Sequence, residues 1–373
     1  MPKLVRSGRP PANPFTPSYG SDPVAFVGRE TLIDDVLAGL ENGPGDPNRS
    51  TVFTGPRGSG KTVLLRRIEQ EARQIGWVPV AVAALPGMLD RIVERIRVEA
   101  AEFLAPPPRG RITSLTVQGT GIGREAIEAP LLSWQTRMGT LLDELAAHNV
   151  GLLITIDEID PGLPELSTLG NDFQFFVGEK RQIAIVMAGL PTRVYQAFTA
   201  RSTSFLRRSF HRQLEPLRLA DAKAVLRQTV ESSGRHITQG ALTRAATAAH
   251  GLPFLVQLIG YHTWRQTAND TITADDVTAG VDAAEDDQRE MLVETTLREV
   301  SPTDLAFLRA MAQDDGESVL RDIAARMGVT SQYAGTYRLR LIRQGLITPR
   351  GRGRIVFALP FLKEWLRDEG RIG

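Results

Sequence analysis

Residues 55–62 read Gly55-Pro56-Arg57-Gly58-Ser59-Gly60-Lys61-Thr62 and match the pattern G-x-x-x-x-G-K-[ST]. The glycines let the loop turn back so that its N–H groups face a phosphate, and the dipole of a following helix favours the same anion. A β-rich run, Thr51–Thr54, precedes the loop, and the apolar spacing after it predicts a helix. We expect the loop to bind ATP, with Lys61 on the β- and γ-phosphates and the Thr62 hydroxyl on Mg²⁺. A glycine-rich turn without a ligand is the alternative.

A second motif follows the loop by about 95 residues, where the apolar run Gly151–Ile156 ends in Asp157 and Glu158. A carboxylate at the end of a buried strand can hold Mg²⁺ through water, which is the role expected of Asp157. Glu158 beside it can polarise an attacking water. A nucleotide kinase needs only the first carboxylate, because its nucleophile is a substrate hydroxyl. The pair therefore favours hydrolysis.

Between residue 51 and about residue 219, short apolar runs alternate with helical segments. This alternation is typical of an α/β fold with a parallel sheet that is covered on both faces. Residues 105–130 break the pattern, and we interpret them as an insertion with a hairpin arm over Ile112–Gln118. The predicted strands are Thr51–Thr54, Val78–Val82, Leu152–Ile156, Ile183–Ala188 and Gln213–Leu217. The predicted helices are 61–75, 87–104, 131–148, 166–181 and 194–200.

The C-terminal 79 residues, 295–373, have a different pattern, with short helices followed by a strand, a glycine-rich turn and a strand. Three helices and a hairpin in this order predict a winged helix, a variant of the helix-turn-helix. Residues 331–354 contain six arginines and no acid, which gives this segment a charge of +6. A basic helix and wing suit contact with double-stranded DNA, although winged helices also bind proteins. The residues expected to contact DNA are Gln332, Tyr333, Thr336, Arg340, Arg350, Arg352 and Arg354.

With Phe26-Val27-Gly28-Arg29-Glu30 upstream, the phosphate loop and Leu152–Asp160 resemble the AAA+ and STAND branch of P-loop ATPases. The closest likeness is to proteins that carry an origin-initiator-type AAA domain and then a winged helix. The resemblance implies that Val27, Gly28 and Arg29 lie near the adenine. Gly251-Leu252-Pro253 is similar to the Gly-x-Pro motif of STAND proteins, which implies that Pro253 closes over the nucleotide. An ordinary helix start is the alternative at both places.

The resemblance also implies a polar sensor after the strand Ile183–Ala188 and an arginine finger before the fifth strand. The sensor must be Thr192, Arg193 or absent, because Gly189 and Leu190 occupy the usual position. The finger, which acts on the γ-phosphate of a neighbouring subunit, is expected at Arg207 or Arg208. Since 39 of the 44 cations are arginine, an arginine-rich surface is the alternative.

The composition narrows the class of protein. The formal net charge is +1 and the chain has no cysteine, which excludes disulfide scaffolds, thiolate zinc sites and a cysteine nucleophile. No apolar run approaches the roughly 20 residues that span a bilayer, and the N-terminus has no secretory hydrophobic core. We therefore expect no membrane partner and a cytoplasmic protein.

These observations predict a P-loop NTPase with a parallel-sheet core, an α-helical lid and a winged-helix domain. We expect an ATP hydrolase in which the nucleotide state controls DNA binding, with a homo-oligomer or a protein partner as further options. The alternative is a STAND-type regulatory switch with low turnover and a protein partner. The predicted parts are a disordered Pro-rich arm (1–22), the AAA+ core (23–219), the lid (220–294) and the winged helix (295–373).

Overall fold

The computed structural model describes residues 12–18, 22–105, 132–199, 201–292, 300–351, 353–358 and 362–372. A five-stranded sheet forms the centre of the first half. All its strands are parallel, in the order β2-β3-β4-β1-β5. They are β1 Ser50–Thr54, β2 Trp77–Ala83, β3 Gly151–Asp157, β4 Ile183–Gly189 and β5 Phe210–Gln213. The α/β class and the parallel core are confirmed, while the predicted insertion at 105–130 lies almost entirely outside the described residues.

Helices cover both faces of this sheet, because alternate side chains of its strands point to opposite sides. Leu152, Ile154 and Ile156 of β3 belong to one apolar cluster and Leu153 to the other. The first two helices pack on the Leu153 face and the next three on the opposite face. The helices of this part are α1 Glu30–Asn42, α2 Lys61–Gln74, α3 Met88–Glu99, α4 Trp134–Ala147, α5 Pro164–Gly178 and α6 Pro191–Thr199.

The fifth strand differs from the prediction Gln213–Leu217, because β5 ends at Gln213. Leu214 and Leu217 are buried, which produced the strand-like apolar pattern. Leu214 still donates its N–H to Thr54, but the Leu217 N–H donates instead to the carbonyl of Gly251, in the following helical layer. The burial of Leu217 therefore comes from packing against another layer and not from strand pairing.

A helical layer follows the sheet, and its core is separate from the two sheet cores. Its short strands, His236–Ile237 and Thr271–Ile272, pair in parallel and are absent from the sequence prediction. The helices are α7 Leu219–Glu231, α8 Gln239–Ala248, α9 Pro253–Gln266 and α10 Ala274–Leu292.

Residues 12–18 are packed against α9, so the expectation of a disordered arm over 1–22 does not hold for them. Phe15 is 3% exposed and lies in the core of the helical layer, beside Gly260. The Asn13 amide donates to the Tyr261 carbonyl at 2.9 Å, and the Thr16 N–H donates to the Gln257 side chain at 3.1 Å. Proline and serine in this segment suggested disorder, but a buried aromatic ring and two hydrogen bonds attach it to α9.

The C-terminal part has the three predicted helices and the two predicted strands around its own apolar core. The strand Ser318–Val319 and the helix Leu362–Ile372 were not predicted. A small antiparallel sheet joins Ser318–Val319, Ile347–Pro349 and Arg354–Phe357. No helix in the described ranges is long and apolar enough to cross a bilayer. The helices of this part are α11 Pro302–Ala312, α12 Leu320–Arg326, α13 Ser331–Arg343 and α14 Leu362–Ile372.

Candidate functional site

The phosphate loop joins the carboxyl end of β1 to the amino end of α2. Gly58 and Gly60 have φ of 76° and 86°, a left-handed backbone that residues with a Cβ rarely adopt. The Lys61 ammonium donates to the carbonyls of Gly55 and Pro56, at 3.0 and 2.9 Å. Burial lowers the pKa of Lys61, while Asp157 and Glu158 act in the opposite direction. The loop thus places the Lys61 ammonium close to the N–H groups at the start of α2.

The carboxylate motif lies beside this loop. The Thr62 hydroxyl donates to Asp157 Oδ2 at 2.5 Å, although the two residues are 95 positions apart in sequence. The other carboxylate oxygen of Asp157 accepts the Glu158 N–H at 2.9 Å. Glu158 has a φ of 54°, which costs a residue with a Cβ about 1–2 kcal/mol. The structure therefore brings together the hydroxyl and both carboxylates singled out in the sequence.

The segment Val27-Gly28-Arg29 contacts the helical layer. Gly28 has a φ of 86°, and a Cβ at this position would lie 3.0 Å from a carboxylate oxygen of Asp221, on α7. The Arg29 guanidinium donates to the Glu215 carbonyl, and burial lowers the pKa of Arg29. A hydrogen bond from Arg218 is the main reason that the pKa of Asp221 is lowered. This segment is tied to the first helix after the sheet.

The helix α9 begins directly at the phosphate loop. Pro253 is its first residue, and a Cβ added at Gly60 would lie 3.5 Å from the Pro253 ring. The Phe254 N–H donates to the Gly58 carbonyl at 3.2 Å. Pro253 is thus close to the phosphate loop.

The polar residues after β4 differ in their surroundings. The Thr192 hydroxyl is buried and has no hydrogen-bond partner in the described part of the chain. Arg193 lies 4.0 Å from Asp160, in the loop that follows Glu158. The two sensor candidates therefore differ, because the Thr192 hydroxyl lacks a hydrogen-bond partner among the described residues while Arg193 is paired with Asp160.

The candidate finger residues lie at the opposite end of the sheet. Arg207 and Arg208 are exposed and precede β5, which is parallel to β1. The phosphate loop follows the other end of β1, so these arginines do not reach the phosphate loop of their own chain. Arg208 donates to Gln174 at 3.4 Å.

In the C-terminal part, the predicted outward face of α13 is confirmed for Gln332, Tyr333 and Thr336, which are exposed. Arg340 also reaches the surface, but its guanidinium pairs with the buried Asp304 at 2.6 Å. Arg340 therefore joins α13 to α11, and its contact with DNA stays a prediction.

The wing is less basic than its sequence alone suggests. Arg354 forms an ion pair with Glu317 at 3.1 Å, and Glu317 lies outside the basic segment 331–354. Arg350 is exposed and has no ion pair within the described ranges, and Arg352 lies outside the described residues. With Arg340 and Arg354 both paired, two of the six positive charges are offset by acids from other elements.

Sequence reasoning missed two contacts that surround the site. Glu69 of α2 accepts the Thr155 hydroxyl at 2.5 Å beneath the loop, and burial raises the pKa of Glu69. Glu165, at the start of α5, accepts the N–H groups of Gly87 and Met88 at 3.1 and 3.2 Å. Neither carboxylate is part of a motif, so no local signal could have identified its partner.

Comparison with known proteins agrees with this architecture. Residues 46–198 match the family described as AAA domain, and residues 290–366 match a second, described as Domain of unknown function (DUF8462). The ORC2 protein of Aeropyrum pernix (ADPNP-ADP complexes) is similar with a TM-score of 0.61 and 16% identity, over 95% of this chain and 98% of that one. A Walker-type ATPase of Pyrococcus abyssi has a TM-score of 0.65 and 15% identity, over 92% and 96%. No curated protein matches the chain.

Proposed function

Because the chain has an origin-initiator-like AAA+ P-loop ATPase fold, we propose that it binds and hydrolyses ATP and that its nucleotide state controls a DNA-binding winged helix. The observation that carries the first part is the 2.5 Å hydrogen bond between Thr62 and Asp157. It joins the phosphate loop to the acidic end of β3, which is the juxtaposition that a nucleotide with a divalent cation requires.

The residues present fit Mg²⁺ and ATP. Thr62 and Asp157 would hold the metal, since a hydroxyl and a carboxylate are hard oxygen ligands, and bound Mg²⁺ would neutralise charge on the phosphates. Lys61 would exchange its two loop carbonyls for phosphate oxygens. Glu158, the residue directly after Asp157, would accept a proton from the attacking water.

The test of this site uses two variants with different expected results. Lys61→Ala should abolish ATP binding, measured by calorimetry with Mg²⁺ present. Glu158→Gln should bind ATP within a few-fold of wild type and reduce turnover by about 100-fold or more, the scale of a lost general base. Arg67→Ala, at an exposed position of α2 outside the loop, is the control for general disturbance. Equal ATP affinity for wild type and Lys61→Ala would contradict the site.

We propose that residues 23–219 form the AAA+ core, residues 220–294 the lid and residues 295–373 the winged helix. The exposed face of α13 supports DNA contact through Gln332, Tyr333 and Thr336, and the wing adds Arg350 and Arg354. The hydrolysis step would change the lid contact at Pro253 and so reposition the winged helix. Turnover measured with and without duplex DNA tests this link.

The second candidate is a STAND-type switch with low turnover and a protein partner. The direct contact of Pro253 and Phe254 with the phosphate loop favours it, because a lid closed on the loop slows nucleotide exchange. Slow ADP release and no response to DNA would support the switch. In either function, Arg207 and Arg208 can act on a γ-phosphate only in an oligomer. If they do, ATP turnover should rise with protein concentration.

A further inference from the structure

Two helices begin at the phosphate loop and lie in different layers of the molecule. Helix α2 starts at Lys61 and packs on the central sheet, whereas α9 starts at Pro253 and belongs to the helical layer. They meet at the loop, where the Phe254 N–H donates to the Gly58 carbonyl at 3.2 Å. Because both helices begin at this loop, a change in the distance between α2 and α9 opens or closes the place where a phosphate would bind.

The chain near the N-terminus is attached to α9 close to the start of that helix. The Thr16 N–H donates at 3.1 Å to the side chain of Gln257, a buried amide about one turn after the helix start. The Phe15 ring is 3% exposed and fits against Gly260, where a Cβ would overlap the ring. A polar side chain and a glycine of α9 are both matched to residues 12–18, so this segment has a defined binding place on the helix.

A few residues later, the same chain is attached to α2. Asp22 accepts a hydrogen bond from the Gln70 amide at 3.1 Å, and its other carboxylate oxygen lies 3.8 Å from the Arg66 guanidinium. Both partners lie within about three turns of the start of α2. Thr16 and Asp22 are six positions apart, so the chain between them spans at most about 22 Å. This short connection limits how far α9 can move away from α2.

The residues after Asp22 follow the boundary between the two layers. Ala25 is buried in the core of the helical layer, and Val27 packs against that core. Phe26, between them, packs against the core that contains the apolar side chains of α2. Successive side chains of an extended chain point to opposite sides, so this stretch lies between the layers and contacts both.

Residues 12–18 and 22–27, which form an N-terminal brace, thus connect α9 to α2 behind the phosphate loop. We propose that the N-terminal brace holds α9 on the loop and thereby slows the release of a bound nucleotide. This role rests on the proposed ATP site, to which it adds a control of nucleotide exchange. As long as the brace is attached to both helices, α9 cannot leave the loop, so one attachment must break before the nucleotide departs.

The two attachments of the N-terminal brace differ in strength. The side chains of Asp22 and Arg66 are 51% and 39% exposed, and an ion pair so exposed is weak and screened by salt. The attachment to α9 includes the buried Phe15 ring, which water does not reach. The α2 end is therefore the one that opens first, while residues 12–18 stay on α9.

The test measures the release of a fluorescent nucleotide, methylanthraniloyl-ADP with Mg²⁺, from the full chain after excess unlabelled ADP is added. Phe15→Ala weakens the attachment to α9, and Asp22→Ala removes the side-chain attachment to α2. Leu242→Ala is the matched control for the first variant, because it truncates a buried side chain of the same core on α8, outside the brace. Asp34→Ala, at an exposed position of α1, is the matched control for the second.

Phe15→Ala should speed nucleotide release by tenfold or more. Asp22→Ala should speed it by about two- to fivefold, the scale expected when an exposed pair is lost. Each control variant should change the release rate less than twofold. In the nucleotide-free chain, hydrogen–deuterium exchange of the Phe254 amide should become faster by a similar factor in Asp22→Ala and stay unchanged in Asp34→Ala.

Equal release rates from Phe15→Ala and Leu242→Ala would overturn the role of the brace, and so would equal rates from Asp22→Ala and Asp34→Ala. If the wild-type chain does not bind the labelled ADP, the proposed ATP site is wrong. Exchange of the Phe254 amide without nucleotide then decides about the brace by itself. Equal exchange in Asp22→Ala and Asp34→Ala would show that the brace does not hold α9 on the loop.

Discussion

Replacement of Arg340 by alanine separates a structural role from a DNA-binding role. Asp304 is 1% exposed, and it receives both Nε and a terminal nitrogen of Arg340, at 2.9 and 2.6 Å. After the substitution, the hydroxyl of Ser301, at 2.7 Å, is the side-chain donor that this carboxylate retains. Removal of one partner from a buried pair costs about 3–5 kcal/mol. Since the Arg340 side chain is 44% exposed, we expect the lower part of that range or slightly less, about 2–3 kcal/mol.

Hydrogen–deuterium exchange of the full chain measures the loss of stability at α13 itself. A loss of about 2–3 kcal/mol in the free energy of opening corresponds to about 30- to 150-fold faster exchange of the protected α13 amides. Amides of the central sheet should not change. Arg350→Ala is the matched control, because Arg350 is exposed and should leave α13 exchange unaltered while it reduces the salt dependence of DNA binding by about one phosphate contact.

The structural role of Arg340 is refuted if Arg340→Ala leaves α13 protection intact and instead weakens DNA binding as Arg350→Ala does. In that case the guanidinium would leave Asp304 to contact DNA, and the carboxylate would tolerate its absence. A second check is Asp304→Asn, which keeps the shape and removes the charge. It should recover part of the protection lost in Arg340→Ala when the two are combined, because no unpaired charge is then buried.

Three other perturbations test the fold around the site. Phe15→Ala should lower the free energy of unfolding, measured in urea, by about 3 kcal/mol. This is the low end for a buried ring, because residues 12–18 can detach from the helical layer. An unchanged urea midpoint would mean that the ring is not buried in solution. Gly251→Ala should cost about 2 kcal/mol or more, since φ is +72° and a Cβ would lie 2.7 Å from the Leu217 carbonyl oxygen, and equal thermal stability would contradict this geometry. Burial raises the pKa of Glu69, so between the unfolded and folded pKa values this carboxyl is protonated in the folded protein and ionised in the unfolded chain. The free energy of unfolding therefore falls as the pH rises through that interval. Glu69→Gln, which can still accept from Thr155, should therefore stabilise the protein at about pH 8 and not at about pH 4, and a gain of equal size at both would disprove the assignment.

The centre of the fold was predictable because each element there has a local signal. The apolar runs of β1, β3 and β4, and the first half of β2, are buried on both faces, so their composition alone identifies them. The phosphate loop has its own spacing. The fifth strand was misplaced by about three residues because Leu214 and Leu217 are buried by different neighbours. Apolar spacing reports burial and does not tell which layer causes it.

Charge was harder to predict than the fold. The arginines of 331–354 form a continuous basic segment in sequence, yet Arg340 and Arg354 are paired with Asp304 and Glu317. These acids lie 36 and 37 positions earlier in the chain. Ser301 and Asp304 do have a local signature as a helix cap, but nothing in that signature indicates that an arginine on another helix completes it.

The docking of Phe15 on α9 also sets an order of events during synthesis. The hydrogen bonds of Asn13 and Thr16 join residues 248 and 241 positions apart, so the ring cannot reach its binding place until α9 has left the ribosome. At about 5–20 residues per second, that interval is about 12–50 seconds. Throughout it, the central sheet can assemble from contacts of shorter range while the aromatic ring near the N-terminus stays exposed. Residues 12–18 are thus synthesised well before the helix that binds them.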